Sequence, residues 1–173
     1  VLVAARDEEA VIERLVKRLL RLRYPQDKLS IWIVDDGSKD RTPNLLDGLS
    51  QRFPLLHVIH RSRGAGGGKS GALNCALKEV KGDWLLILDA DAQLQEDVLL
   101  RMVPFAEKGK WSALQLRKAV VNSDQNWLTR LQAMEMAMDA LIQQGRFANG
   151  VVELRGNGQL LKRRVVEHCG GFN

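Results

Sequence analysis

Cysteine, aromatic residues and long apolar runs are scarce in this chain, and each scarcity argues against a class of protein. Cys75 and Cys169 are the only cysteines, and each sits in an apolar helical context. Two unpaired thiols point to a reducing compartment and to plain buried residues. Aromatics make up 5% of the residues, and none interleaves with the basic run Arg61 to Lys69. A base-stacking platform for nucleic acid would need that interleaving. No window approaches the roughly 18 consecutive apolar residues of a membrane span. No internal repeat or low-complexity tract occurs, and strand-like Val1-Leu2-Val3-Ala4-Ala5 stands where a signal peptide would be.

What is present fits one globular domain. The 173 residues are 45% hydrophobic and 27% charged, enough to bury a real core. The chain opens inside an apparent strand and closes on Gly170-Gly171-Phe172-Asn173, so it reads as a piece of a longer protein. Its 26 basic against 21 acidic residues give a net charge of +5. The excess gathers at Arg14 to Arg23, Arg61 to Lys69 and Arg155 to Arg164. Such clusters suit nucleic acid, an anionic membrane surface or a phosphate-bearing ligand.

Strand and helix patterns alternate. Helical spacing of Val11, Ile12, Leu15, Val16, Leu19 and Leu20 predicts a helix over 8–22 with a solvated basic face. A β-branched strand over 29–34 ends in Asp35-Asp36-Gly37-Ser38, and Thr42 is the expected N-cap of a helix with Pro43 in its first turn. Strands are expected over 55–59 and 84–88, the second apolar throughout, and near 112–116. Helices are expected over 69–80, near 96–108 and over 126–146. In the last of these, Met134 and Met138 read as core residues. The alternation predicts an open, mostly parallel sheet with right-handed crossovers.

Ligands of such sheets bind beyond the carboxyl ends of the strands, where strand order reverses. Three polar groups fall at strand ends here: Asp35-Asp36, the Gly64 to Ser70 loop, and Asp89-Ala90-Asp91. Two carboxylates one residue apart, leaving a buried strand, can share one magnesium or manganese ion and leave places for substrate phosphates. Capping of the following helix would use the same residues. Gly68-Lys69-Ser70 invites comparison with a P-loop, but Arg63 stands where that pattern needs glycine. Lys69 at a helix start is placed to meet an anion in either case. A P-loop-like NTPase and a basic nucleic-acid-binding module stay as alternatives.

Together these residues resemble the family 2 glycosyltransferases of GT-A fold, a Rossmann-like three-layer α/β sandwich with a mostly parallel sheet. The likeness is greatest to the processive branch of cellulose, chitin, hyaluronan and poly-N-acetylglucosamine synthases. Val3-Ala4-Ala5-Arg6-Asp7-Glu8-Glu9 is similar to the first-strand motif, although Ala5 and Arg6 depart from it, and this brings Ala4 and Glu8 to the donor. Val34 to Thr42 follows another motif and implies Asp36 on a uracil ring. Lys69-Ser70-Gly71-Ala72-Leu73-Asn74 resembles Lys-x-Gly-Ala-Leu-Asn, with Lys69 and Asn74 at the donor. Asp89-Ala90-Asp91 matches Asp-x-Asp, with Asp89 and Asp91 on Mg2+ or Mn2+ and Ala90 beside the donor. Gly156-Asn157-Gly158 resembles the acceptor-side segment.

The resemblance implies one catalytic-core domain over 1–173, with 1–116 binding the nucleotide sugar and 117–173 opening the acceptor side. It implies an inverting, metal-dependent transfer from a UDP-sugar to a glycan or lipid-linked acceptor, forming a β linkage. Polysaccharide synthesis at the cytoplasmic face of the plasma membrane would follow. The parent protein would hold the membrane, and this piece would be soluble with no nucleic-acid partner. The family's catalytic Asp would fall after Asn173, so this piece should bind donor but transfer poorly.

Overall fold

The computed structural model describes residues 1–173. Five strand–helix pairs lead from β1 (Leu2–Ala5) and α1 (Ile12–Leu19) through β2 (Ile31–Asp35), α2 (Thr42–Ser50), β3 (Leu56–His60), α3 (Gly68–Leu77), β4 (Trp84–Leu88), α4 (Val98–Lys108) and β5 (Ala113–Gln115) to α5 (Trp127–Ala148). The chain then returns through β6 (Gln159–Lys162) to α6 (Arg163–His168). The strands form one sheet in the order β3-β2-β1-β4-β6-β5. The first four are parallel, and β6 runs antiparallel between β4 and β5. Strand order therefore reverses between β1 and β4, and a crevice is expected at their carboxyl ends.

Alternation along the strands supplies both faces of the sheet. On one face Val3, Ile31, Ile33, Leu86 and Leu88 meet Ile12, Leu15, Val16 and Leu19 of α1, Leu46 and Leu49 of α2, and Val98, Leu99 and Met102 of α4. On the other, Leu2, Val34, Leu85 and Ile87 meet Ala72, Leu73 and Ala76 of α3 and Val166 of α6. The run Trp84-Leu85-Leu86-Ile87-Leu88 is apolar throughout because both of its faces are covered.

Several expectations are corrected. Helix α1 starts at Ile12, not Glu8, and the amides of Glu8 and Glu9 donate to Thr42 Oγ1 and Asp40 Oδ2 across the loop. Thr42, with its hydroxyl so engaged, is the first helical residue of α2 and not its N-cap. Strand β6 fell in a stretch read without a strand, since Leu160 and Leu161 are only two apolar residues between glycine and a basic run. The methionines of α5 are not core: Met134 and Met138 are both 62% exposed, and only Thr129 of that helix is buried. The helix is held at its start by a capping box, in which Thr129 N donates to Asn126 Oδ1 and Asn126 N donates to Thr129 Oγ1. Cys75 is half-buried and Cys169 exposed, so neither is a plain core residue. No helix is long and apolar enough to cross a membrane.

Candidate active site

The turn after β2 is built around a buried acid. Asp35, 3% exposed, accepts from Ser38 N on Oδ1 (3.1 Å) and meets His60 Nδ1 on Oδ2 (3.0 Å). The other ring nitrogen, Nε2, meets Asp47 Oδ1 at 3.0 Å. A carboxylate at each nitrogen favours the imidazolium, in which both nitrogens donate. The His60 pKa is accordingly raised, first by the hydrogen bond to Asp35. Gly37 completes the turn at φ +70°, where an added Cβ would lie 2.7 Å from Arg63 Cα. No other residue fits that close approach without moving backbone.

Asp36 follows on the rim. Its N–H donates to Ala5 O at 2.9 Å, and its Oδ1 accepts from Arg61 Nη1 at 2.6 Å. Both side chains are largely buried. Arg61 Nη2 also donates to Gly66 O at 2.7 Å, which ties the glycine-rich loop to the acid. The basic-run reading passed over Arg61 as an individual residue. Only the register points to it: parallel pairing of Asp35 with His60 makes residues 36 and 61 neighbours at adjacent strand ends.

Across the strand-order reversal lies the second acidic group. Lys69, in the first turn of α3, reaches Asp89 Oδ1 with its ammonium and lies 3.3 Å from Gly156 O. Asp89 N donates to Asn157 Oδ1 at 3.1 Å, while Ala90 is buried in the core and leaves Asp91 exposed. Glu8 faces this group. Its carboxyl is pushed above the usual carboxylate range, first by burial and then by the charges of Asp91, Asp40, Asp89 and Asp7. Such crowding of negative charge on one rim is what a bound cation relieves.

The donor set suits a hard cation, since Asp89 and Asp91 offer only oxygen. No three His, Cys, Asp or Glu side chains close a cage by themselves. A cation held here would draw further oxygens from a ligand's phosphates, the arrangement magnesium favours.

Gly156-Asn157-Gly158 is clamped beside Asp89. Gly158 N donates to Ile87 O at 2.9 Å and opens the β4–β6 ladder. Gln115, unnoticed in the sequence, donates from Nε2 to Asn157 O (2.8 Å) and accepts Arg155 N on Oε1 (2.7 Å). Two residues read as donor contacts have protein partners of their own here. Asn74 has both amide atoms on the Phe172 backbone, accepting its N–H at 2.7 Å and donating to its carbonyl at 2.8 Å. The side chain of Ala4 packs against the core cluster beneath α3.

The model of Glycosyl transferase family 2 matches residues 1–170. Beta-monoglucosyldiacylglycerol synthase of Synechocystis sp. is 49% identical over 99% of this chain and 36% of its own length. Probable glycosyltransferase YdaM of Bacillus subtilis is 30% identical over 100% of this chain and 42% of its own. The chain thus spans little more than a third of the length of the curated relatives it matches. Among solved structures, mannosyltransferase PcManGT from Pyrobaculum calidifontis, in complex with GDP-Man and Mn2+, superposes with a TM-score of 0.75 at 24% identity, over 99% of this chain and 46% of that one. At that identity the likeness is one of fold, and it places the sheet among the GT-A enzymes. The NTPase and nucleic-acid readings give way to a family match that runs nearly end to end: the chain belongs to the family 2 glycosyltransferases.

Proposed function

We propose that this chain binds a uridine-diphosphate sugar with Mg2+ or Mn2+ and delivers the sugar, with inversion to a β linkage, to a hydroxyl of a lipid acceptor at a membrane surface. The observation that carries the donor half is the convergence of Asp36, Lys69 and Asp89 through one loop. Arg61 links Asp36 to Gly66, and Lys69 of the following helix touches Asp89. The name of the Synechocystis relative, beta-monoglucosyldiacylglycerol synthase, supports the lipid acceptor.

Each residue has a task in this reading. Arg61 holds Asp36 by Oδ1, leaving Oδ2 for the imide N–H of uracil. Lys69 trades Asp89 for the diphosphate as donor enters. Asp89 and Asp91 would hold the cation, which would supply positive charge to the departing diphosphate. Asn157, fixed by Gln115 and by Asp89 N, borders the acceptor side. The acceptor hydroxyl gives its proton to a base that this reading places after Asn173. Its oxygen bonds to the anomeric carbon as the bond to the β-phosphate breaks, and nucleoside diphosphate leaves.

Calorimetry of the chain with UDP and GDP, with and without Mn2+, tests the donor half. UDP should bind at least about tenfold more tightly than GDP and more tightly with Mn2+, and Asp91→Ala should abolish the Mn2+ gain. A preference for GDP would overturn the uridine assignment, and an unchanged metal response in Asp91→Ala would overturn the cation site.

A further inference from the structure

We infer that the cavity between β5 and α5 seats an acyl chain of the acceptor; this rests on the lipid-acceptor reading above and gives it a place. The cavity has a volume of about 470 Å³, within the roughly 300–1,000 Å³ of small-molecule sites. Its walls include Phe105, Trp111, Leu116, Met136, Phe147 and Val152. Trp111 and Phe147 meet edge to face with ring centroids 5.8 Å apart, so the wall already has a shape. Phe105, Phe147 and Val152 are each more than half exposed, an apolar surface larger than an isolated side chain would present.

Two observations select the occupant. Both carboxylates of the wall are ion-paired to its own arginines: Asp139 meets Arg155 at 3.0 Å, and Glu153 meets Arg146 and Arg155. The wall thus presents no unpaired carboxylate, and an apolar chain enters without stranding one. The cavity is also tied to the Asn157 segment by hydrogen bonds of its wall. Gln115 and Arg155 line it, and through the Gln115 bond to Asn157 O they reach the residue that holds Asp89 N. A ligand with an apolar tail in the cavity would carry its hydroxyl toward Asn157. That is the shape of an acylglycerol, with the tail buried and the alcohol facing the donor.

Trp111 makes the inference measurable. A short-chain diacylglycerol brominated on its acyl chains, kept below its aggregation concentration, should quench the fluorescence of the chain saturably. The quenching should be largely lost in Trp111→Phe. Ala140→Phe, which fills the cavity, and Phe147→Ser, which removes apolar wall, should each weaken it at least about tenfold. UDP affinity should be unchanged in all three variants. Quenching that survives in Trp111→Phe, or is lost instead in Trp127→Phe on the exposed side of α5, would overturn the cavity assignment. Absence of saturable quenching with UDP binding intact would also overturn it, while leaving the donor reading standing. Absence of UDP binding in the unaltered chain would strike the donor reading instead.

Discussion

His60 stands between Asp35 and Asp47, and its charge state decides whether the turn that carries Asp36 is held from below. Its folded pKa is raised above the ordinary 6.5. A raised histidine pKa means the folded state binds the proton more tightly than the unfolded state. The resulting stability is fully present below the ordinary value and lost as pH climbs through the raised one. Thermal unfolding followed from pH 6 upward should therefore show a falling midpoint, and His60→Gln should flatten that dependence. A midpoint that falls equally in His60→Gln would assign the effect to other groups. Arg61 and Asp36 make a second residue-scale case. Both side chains are largely buried, so removing one partner strands the other charge, a loss of about 3–5 kcal/mol in comparable pairs. Arg61→Met should destabilise the chain and loosen the glycine-rich loop. The double variant Arg61→Met, Asp36→Asn should recover part of the stability in denaturant titration, though not UDP binding. Asp36 and Asp89 were legible from strand-end position alone. Arg61 was not, because its value comes from a register that only strand pairing reveals.

At the scale of elements, legibility followed periodicity. Strands β2 and β4 stood out as short unbroken apolar runs and helix α1 by apolar residues at helical spacing, and all three meet covered faces. Strand β6 did not, since four residues with two leucines carry no period, and their partners are set by long-range pairing with β4 and β5. Helix α5 misled in the opposite sense. Its apolar content is high, yet its exposed Trp127, Leu128, Leu131 and Leu141 show that content alone does not say which surface a helix meets. Asn74 was read from a motif as a donor contact, whereas it joins α3 to the Gly170-Gly171-Phe172 turn. Gly171, at φ +103°, brings the backbone so close that an added Cβ would sit 2.5 Å from Asn74 Oδ1. Asn74→Ala leaves a part-buried N–H and carbonyl unpaired, a cost of about 1–3 kcal/mol. A matching loss in chemical denaturation, with UDP affinity kept, is the outcome expected of a clamp. A selective loss of UDP affinity would return Asn74 to the donor site.

For the whole molecule, the strand order brings the two acidic groups to the same edge of the sheet. Chain segments far apart in sequence, 35–36 and 89–91, reach strand ends on either side of β1 only because β4 returns beside it. Burial first and the neighbouring carboxylates second raise the Glu8 pKa, and the folded chain pairs Asp89 with Lys69 as a stand-in cation. In the proposed reading a divalent ion alone would gain little, since it would have to displace Lys69 and would find only the two aspartates of Asp-Ala-Asp. Nucleotide diphosphate alone brings more negative charge to an acidic rim. Together they answer each other, with phosphate oxygens completing the ion's shell and Lys69 freed for the phosphates. Ligand bound only to the folded state at a hundred times its Kd stabilises by about 2.7 kcal/mol. For a domain of this size that is roughly 5–10 °C in Tm. UDP and Mn2+ together should therefore raise Tm by about this amount, each alone should raise it by much less, and Asp91→Asn should reduce the joint effect to the sum of the separate ones. Additive shifts in the unaltered chain would mean that ion and diphosphate do not share the rim.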